Sequence, residues 1–112
     1  MADKRADTQI MPQLSDQELL DARARLPQHV VHRSFVAETV VLNLRTGKYH
    51  GLNPTAGKML EALAAAPTAG ATVPELAREY GVEPAKVESD LIVLCQGLLE
   101  RGLIEMVDAD PA

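Results

Sequence analysis

The histidines are the first residues whose chemistry could define a site, because imidazole is the commonest metal ligand in proteins. The sequence has three, His29, His32 and His50. A spacing of three would place His29 and His32 on one face of a helix, but their neighbours predict a strand, in which they point to opposite faces. No nearby Asp, Glu or Cys completes a ligand set. The sequence therefore predicts no metal site.

The candidate nucleophiles are one cysteine and three serines. Cys95 lies in the apolar stripe of a predicted helix, where desolvation raises the pKa of a thiol, so we expect a core residue. None of the serines, Ser15, Ser34 and Ser89, lies in a Gly-x-Ser-x-Gly motif. The sequence also has neither a Gly-x-x-x-x-Gly-Lys nor a Gly-x-Gly-x-x-Gly phosphate-binding motif. We therefore predict a protein that is not an enzyme and that binds no cofactor.

Length and charge narrow the possible partners. The 112 residues are enough for one core, although only 3% of them are aromatic. Eleven basic and sixteen acidic residues give a net charge of −5, which repels phosphate backbones and anionic membrane surfaces. A single cysteine excludes an internal disulfide framework, and no apolar run is long enough for a signal peptide or a membrane span. We predict a cytoplasmic protein that binds neither nucleic acid nor membranes.

The N-terminal region predicts an extension with one short helix. Residues 1–13 are charged and have no apolar period, which is typical of a loose arm. Ser15 and Glu18 have the spacing of a capping box, so a helix should begin there and run to about Leu26. Because its apolar face is thin, we expect it to contribute little to a core. That face consists of Leu19, Ala22 and Leu26.

β-Branched residues then predict a three-stranded antiparallel meander. The first strand contains Val30–Val31 and Phe35–Val36. The second covers residues 39–44 and places three apolar residues on one face by its period of two, namely Val40, Leu42 and Leu44. A turn in which Gly47 can take a positive φ leads into the third strand, residues 49–52. The last strand of a meander is an edge with unpaired backbone groups.

Three helices follow the meander. Asn53 and Pro54 predict the start of the first, and its apolar residues at helical spacing are Ala56, Met59, Leu60 and Leu63. Thr72 and Glu75 have capping-box spacing and open the second, whose apolar side contains Val73, Leu76, Ala77 and Tyr80. Pro84 opens the longest helix, whose apolar stripe contains Val87, Leu91, Leu94, Cys95, Leu98 and Leu99.

The last two predicted helices, joined at Gly81, have the spacing of a helix-turn-helix, with the hairpin as a wing. A helix that reads DNA needs basic and amide side chains, yet this one sets Lys86 and Gln96 against Glu88 and Asp90. A winged-helix DNA-binding transcription regulator is therefore an alternative that the charge disfavours. A third hypothesis is that the protein is a small structural subunit of an enzyme complex.

The order of elements and several short motifs together resemble the PqqD-like family of leader-peptide recognition elements. The motifs are Thr46-Gly47-Lys48-Tyr49, Gly51-Leu52-Asn53-Pro54-Thr55, Thr72-Val73-Pro74-Glu75-Leu76, Asp90-Leu91 and Gly102-Leu103-Ile104. The resemblance covers about residues 30–105. It implies an α+β, winged-helix-like fold in which a three-stranded antiparallel sheet precedes three helices. Here that fold would span residues 29–106, between an N-terminal extension (1–28) and a tail (107–112).

The resemblance also implies a function. Proteins of this family bind the leader segment of a ribosomally made, post-translationally modified peptide (RiPP) by adding it as a strand to the last β-strand, against the last helix. The partner would be a modifying enzyme or a leader cysteine protease. The Leu52 to Thr55 stretch is most like the discrete recognition proteins of lasso-peptide biosynthesis, with quinone-cofactor and radical-enzyme pathways as alternatives.

The implied peptide-binding edge comprises Lys48, Tyr49, His50, Gly51 and Leu52. Projection of the last helix at 100° per residue adds one margin of the apolar stripe to the candidate site. This margin comprises Asp90, Val93, Gly97 and Arg101 and lies beside Leu94, which also belongs to the candidate site. A glycine within a helix is unfavourable by about 1 kcal/mol relative to alanine. Close approach of a ligand to Gly97 is one reason to have it there, and helix packing is the other.

Overall fold

The computed structural model describes residues 14–109, so the predicted arm at residues 1–13 lies outside the described residues. The helices are α1 (Asp16–Asp21), α2 (Pro54–Ala65), α3 (Thr72–Tyr80) and α4 (Pro84–Glu100). The strands are β1 (Arg23–Arg25), β2 (Val30–Ser34), β3 (Thr39–Asn43), β4 (Tyr49–Leu52) and β5 (Glu105–Val107). Strands β2, β3 and β4 form an antiparallel sheet in that order, and β1 pairs with β5. The predicted α+β arrangement of a three-stranded sheet followed by three helices is confirmed.

Local sequence signals set most of the boundaries. Ser15 caps α1 through a capping box, in which the Glu18 N–H donates to Ser15 Oγ at 3.1 Å. Asn53 caps α2 by accepting from the Ala56 N–H at 2.8 Å. Gly47 and Gly81 have φ of 76° and 66°, as a tight turn and a helix C-cap require. These parts of the prediction are confirmed.

The predicted capping box at Thr72 is wrong. Residue 71, an alanine, occupies the N-cap of α3 and makes no side-chain cap bond. Thr72 is instead the first helical residue, and its buried hydroxyl donates to the Ala69 carbonyl at 2.8 Å. The other end of α3 also differs, since Tyr80 is 41% exposed although its spacing predicted a buried side.

The N-terminal segment departs furthest from its prediction. The first helix ends at Asp21, not near Leu26, and Arg23–Arg25 pairs antiparallel with Glu105–Val107. Arg25 and Glu105 also form an ion pair at 2.7 Å. The buried residues of this segment are Leu19, Leu20 and Ala24, so it is part of the core, contrary to expectation. Pairing between segments about 80 residues apart has no signal in the local sequence pattern.

The three-stranded sheet packs one face on the helices. Thr39 and Val41 of β3 are buried there beside Leu52 of β4. Val40 and Leu42 do share a face, as predicted, but it is the outer, half-exposed face. Both faces of β3 carry apolar side chains, and the described fold buries the face with Thr39 and Val41. Phe35–Val36 lies in the exposed turn after β2 and not in a strand.

Helix α2 crosses β3 at a glycine. Gly57 is buried, and a Cβ placed on it would lie 2.8 Å from the Cβ of Thr39, too close for any side chain.

The apolar stripe predicted for α4 is confirmed by the burial of Val87, Leu91 and Leu98, which join the core that contains Leu60 and Leu63. Among the described residues, no helix has the length and hydropathy needed to cross a membrane.

Candidate functional site

Strand β4 has one paired and one free edge within the described residues. The Asn43 N–H donates to the Lys48 carbonyl at 2.9 Å, and the register pairs Val41 with His50 and Thr39 with Leu52. Because paired and unpaired positions alternate in an antiparallel ladder, His50 and Leu52 bond to β3. The backbone N–H and C=O groups of Tyr49 and Gly51 therefore point to the free edge. These two residues are the ones that an added strand would meet.

The faces of β4 separate the predicted edge residues. Tyr49 is 72% exposed and lies on the outer face of the sheet, in a cross-strand row with Leu42 and Val31. His50 is half-buried and Leu52 is 8% exposed, and both lie on the helix-facing side. Tyr49 and Leu52 therefore do not share one apolar pocket, although both belong to the predicted peptide-binding edge. The two side chains would contact opposite faces of an added strand.

Gly51 lies beneath a carboxylate that the sequence analysis missed. A Cβ placed on Gly51 would lie 2.7 Å from one carboxylate oxygen of Glu38, so this side chain covers the glycine on the outer face. Glu38 precedes β3 and is exposed, and its carboxylate has no ion-pair or hydrogen-bond partner among residues 14–109. Only the register of β3 and β4 brings the two residues together, since they are separated in sequence by the whole hairpin.

The predicted margin of α4 is open to solvent along much of its length. Val93 is 66% exposed, Leu94 and Gly97 are half-buried, and Arg101 is exposed. The Arg101 guanidinium lies 3.8 Å from where a Gly97 Cβ would be. Asp90 accepts a hydrogen bond from Lys86 one turn earlier at 3.2 Å, so its charge is already paired.

Helix α1 lies against the other side of α4. Asp16 and the α4 residues Glu88, Ile92, Val93 and Gln96 line a shallow groove between the two helices, so Val93 faces the α1 side and not only the predicted margin. The N-terminal extension thus occupies the Ile92 side. Asp90, Gly97 and Arg101 do not line this groove.

Residues 38–104, more than half of the chain, match the family described as coenzyme PQQ synthesis protein D (PqqD). The chain belongs to the PqqD family.

Two solved structures resemble this PqqD family member over most of their length. One is TbiB1 in complex with the TbiA(beta) leader peptide, with 29% identity and a TM-score of 0.65 over 72% of this chain and 94% of that chain. The other is lasso peptide synthetase B1 complexed with the leader peptide, with 29% identity and a TM-score of 0.65 over 74% of this chain and 98% of that chain. No curated protein is a significant match.

The other potentially reactive side chains of this PqqD family member are a thiol, several carboxylates and imidazoles, and a paired lysine. Cys95 is fully buried, and burial raises the pKa of its thiol to about 12, so the thiolate is negligible near neutral pH. Among residues 14–109, no three His, Cys, Asp or Glu side chains cluster closely enough to hold a metal ion. Lys58 pairs with Glu79 at 3.0 Å, and this hydrogen bond raises the pKa of the lysine.

Proposed function

We propose that this chain binds the leader segment of a ribosomally made precursor peptide by strand addition to β4. The observation that carries the proposal is the free edge of β4, where the backbone groups of Tyr49 and Gly51 point outward. It is supported by membership of the PqqD family and by two similar structures that are complexes with leader peptides. Neither comparison supports the DNA-binding alternative.

Backbone pairing supplies only part of the required affinity. Tyr49 and Gly51 offer four outward groups, two N–H and two C=O. At about 0.5–1.5 kcal/mol for each hydrogen bond, four bonds contribute about 2–6 kcal/mol. Ordering a flexible peptide offsets much of that gain, because each immobilised side chain loses about 0.5–1.5 kcal/mol of conformational freedom. One or two side-chain anchors are therefore needed as well.

The open margin of α4 is the surface that we assign to those anchors. Leu94 supplies a half-buried apolar wall, and Gly97 leaves room beside it because only the Arg101 guanidinium approaches the missing Cβ. The exposed Arg101 guanidinium, together with the Asp90 carboxylate that Lys86 already pairs within the helix, would help to fix the register of the peptide. His50 and Leu52 face the helices from β4, and we assign them, together with Lys48, to the strand side of the site.

In this proposal the chain is a binder, and a partner enzyme carries out the chemistry. That partner is a modifying enzyme or a leader cysteine protease. Similarity to a lasso peptide synthetase B1 complex supports lasso-peptide biosynthesis as the pathway, and we place the protein in the cytoplasm. Burial keeps the Cys95 thiol protonated, so we assign it no chemical step. We assign peptide binding to residues 29–106 and assign structural support of that unit to α1 and β1.

A binding titration tests the proposal. A fluorescein-labelled leader peptide, taken from a precursor encoded beside this gene, is titrated with the full chain and followed by fluorescence anisotropy. We expect saturable binding that an unlabelled copy of the peptide displaces and that a 20-base-pair DNA duplex does not. Displacement by the duplex alone, with a steep dependence on salt, would instead identify the DNA-binding alternative.

A further inference from the structure

The outer face of the sheet continues to the free edge of β4, where its side chains would contact those of an added peptide strand. One cross-strand row on this face consists of Val31, Leu42 and Tyr49, and the next consists of Arg33, Val40 and Gly51. Strand addition would give each row a fourth member. Residues that lie directly beside each other on neighbouring strands have Cβ atoms about 4.5–5.5 Å apart and so interact.

The second row ends in a negative charge. Gly51 has no side chain, and the Glu38 carboxylate occupies the space above it, 2.7 Å from the position a Cβ would take. The cation of the same row, Arg33, is two strands away from Gly51, which is about 10 Å at the usual strand spacing. The Glu38 carboxylate is therefore much closer than Arg33 to the incoming residue, and no described side chain forms an ion pair with it.

We infer that Glu38 is a specificity-determining residue, which selects a lysine or arginine at the peptide position beside Gly51. This inference rests on the proposed strand addition. The residue two positions away, on the same face, lies beside Tyr49 and joins the apolar row, because side chains two apart in a strand share a face. The peptide signature is thus a basic and an apolar residue at a spacing of two, in either strand orientation.

Selection of random peptides tests the inference without a known leader. Phage-displayed 12-residue peptides are selected on the immobilised full chain with Glu38, with Glu38→Lys and with the control Glu75→Lys. Glu75 is exposed in the first turn of α3, so its reversal changes net charge equally at a distance from β4. Glu38→Lys should keep the fold, because the Glu38 side chain is exposed and the Glu38 backbone carbonyl still accepts from the Phe35 N–H.

The expected result is enrichment of Lys or Arg two positions from an apolar residue with the unaltered chain and with Glu75→Lys. With Glu38→Lys, Asp or Glu should replace the basic residue at that position. For one selected peptide, Glu38→Gln should raise the Kd about two- to fivefold at low salt, as is usual for exposed ion pairs, and less at 1 M salt.

Two negative results are distinguishable. If Glu38→Lys selects the same residues as the unaltered chain, the role of Glu38 is wrong, while strand addition stands. If the selected peptides bind equally well when proline replaces Gly51, no strand is added to this edge, and both the inference and the proposed function are overturned.

Discussion

Replacement of Gly51 by proline is the sharpest test of strand addition, because it removes one of the outward N–H donors of β4. The N–H of Gly51 faces the free edge, so the β3–β4 ladder keeps its own bonds. The bound peptide, however, loses a donor for one carbonyl and meets the proline ring. A carbonyl left without a partner costs about 1–3 kcal/mol. We therefore expect a loss of about 2 kcal/mol, or about a 30-fold higher Kd.

The assay is fluorescence anisotropy with a labelled leader peptide, and thermal unfolding is measured for each variant. Gly51→Ala is the matched control, since it keeps the N–H and its new Cβ needs only a rotation of the exposed Glu38 side chain. His50→Pro is the opposite control, because its N–H bonds to β3 and its loss should lower the melting temperature. Equal peptide affinities of Gly51→Pro and Gly51→Ala, in proteins that melt alike, would refute strand addition at this edge.

Four further results are expected. Cys95→Ala should retain full peptide affinity and lower the free energy of unfolding by about 1 kcal/mol in urea titrations, and iodoacetamide should label native Cys95 only slowly, since its thiol pKa is about 12. Gly57→Ala should lower the free energy of unfolding by about 1–3 kcal/mol, because the new Cβ would meet Thr39, and calorimetry with no change would contradict that packing. Gly97→Leu should weaken leader binding at least tenfold in the anisotropy assay while Gly97→Ala has a smaller effect. Deletion of residues 1–13 should leave the Kd within a few-fold, and a larger loss would place the arm in the site.

Local signals in the sequence were sufficient for most elements. The capping box at Ser15, the Asn53 cap and the turn at Gly47 act through bonds within three or four residues, so they can be recognised without the fold. The free edge also follows from the order of the strands, because no later strand pairs with β4 in the described chain. Helical spacing similarly predicted the side of α4 that is buried, with Leu91 at its centre.

The residues of the site required the tertiary structure. Which N–H groups of β4 face outward depends on the hairpin register, so Tyr49 and Gly51, not His50, present their donors. Glu38 meets Gly51 only because β3 and β4 pair.

The sequence by itself determined the type of fold, the family resemblance and the position of the exposed edge, because each depends on local periodicity, caps and element order. Only the tertiary structure decided which face of β3 is buried, since both of its faces carry apolar side chains. It likewise decided the pairing of Arg23–Arg25 with Glu105–Val107 and the close approach at Gly57. Contacts between distant segments determine these features, and a single sequence contains no periodic signal for them.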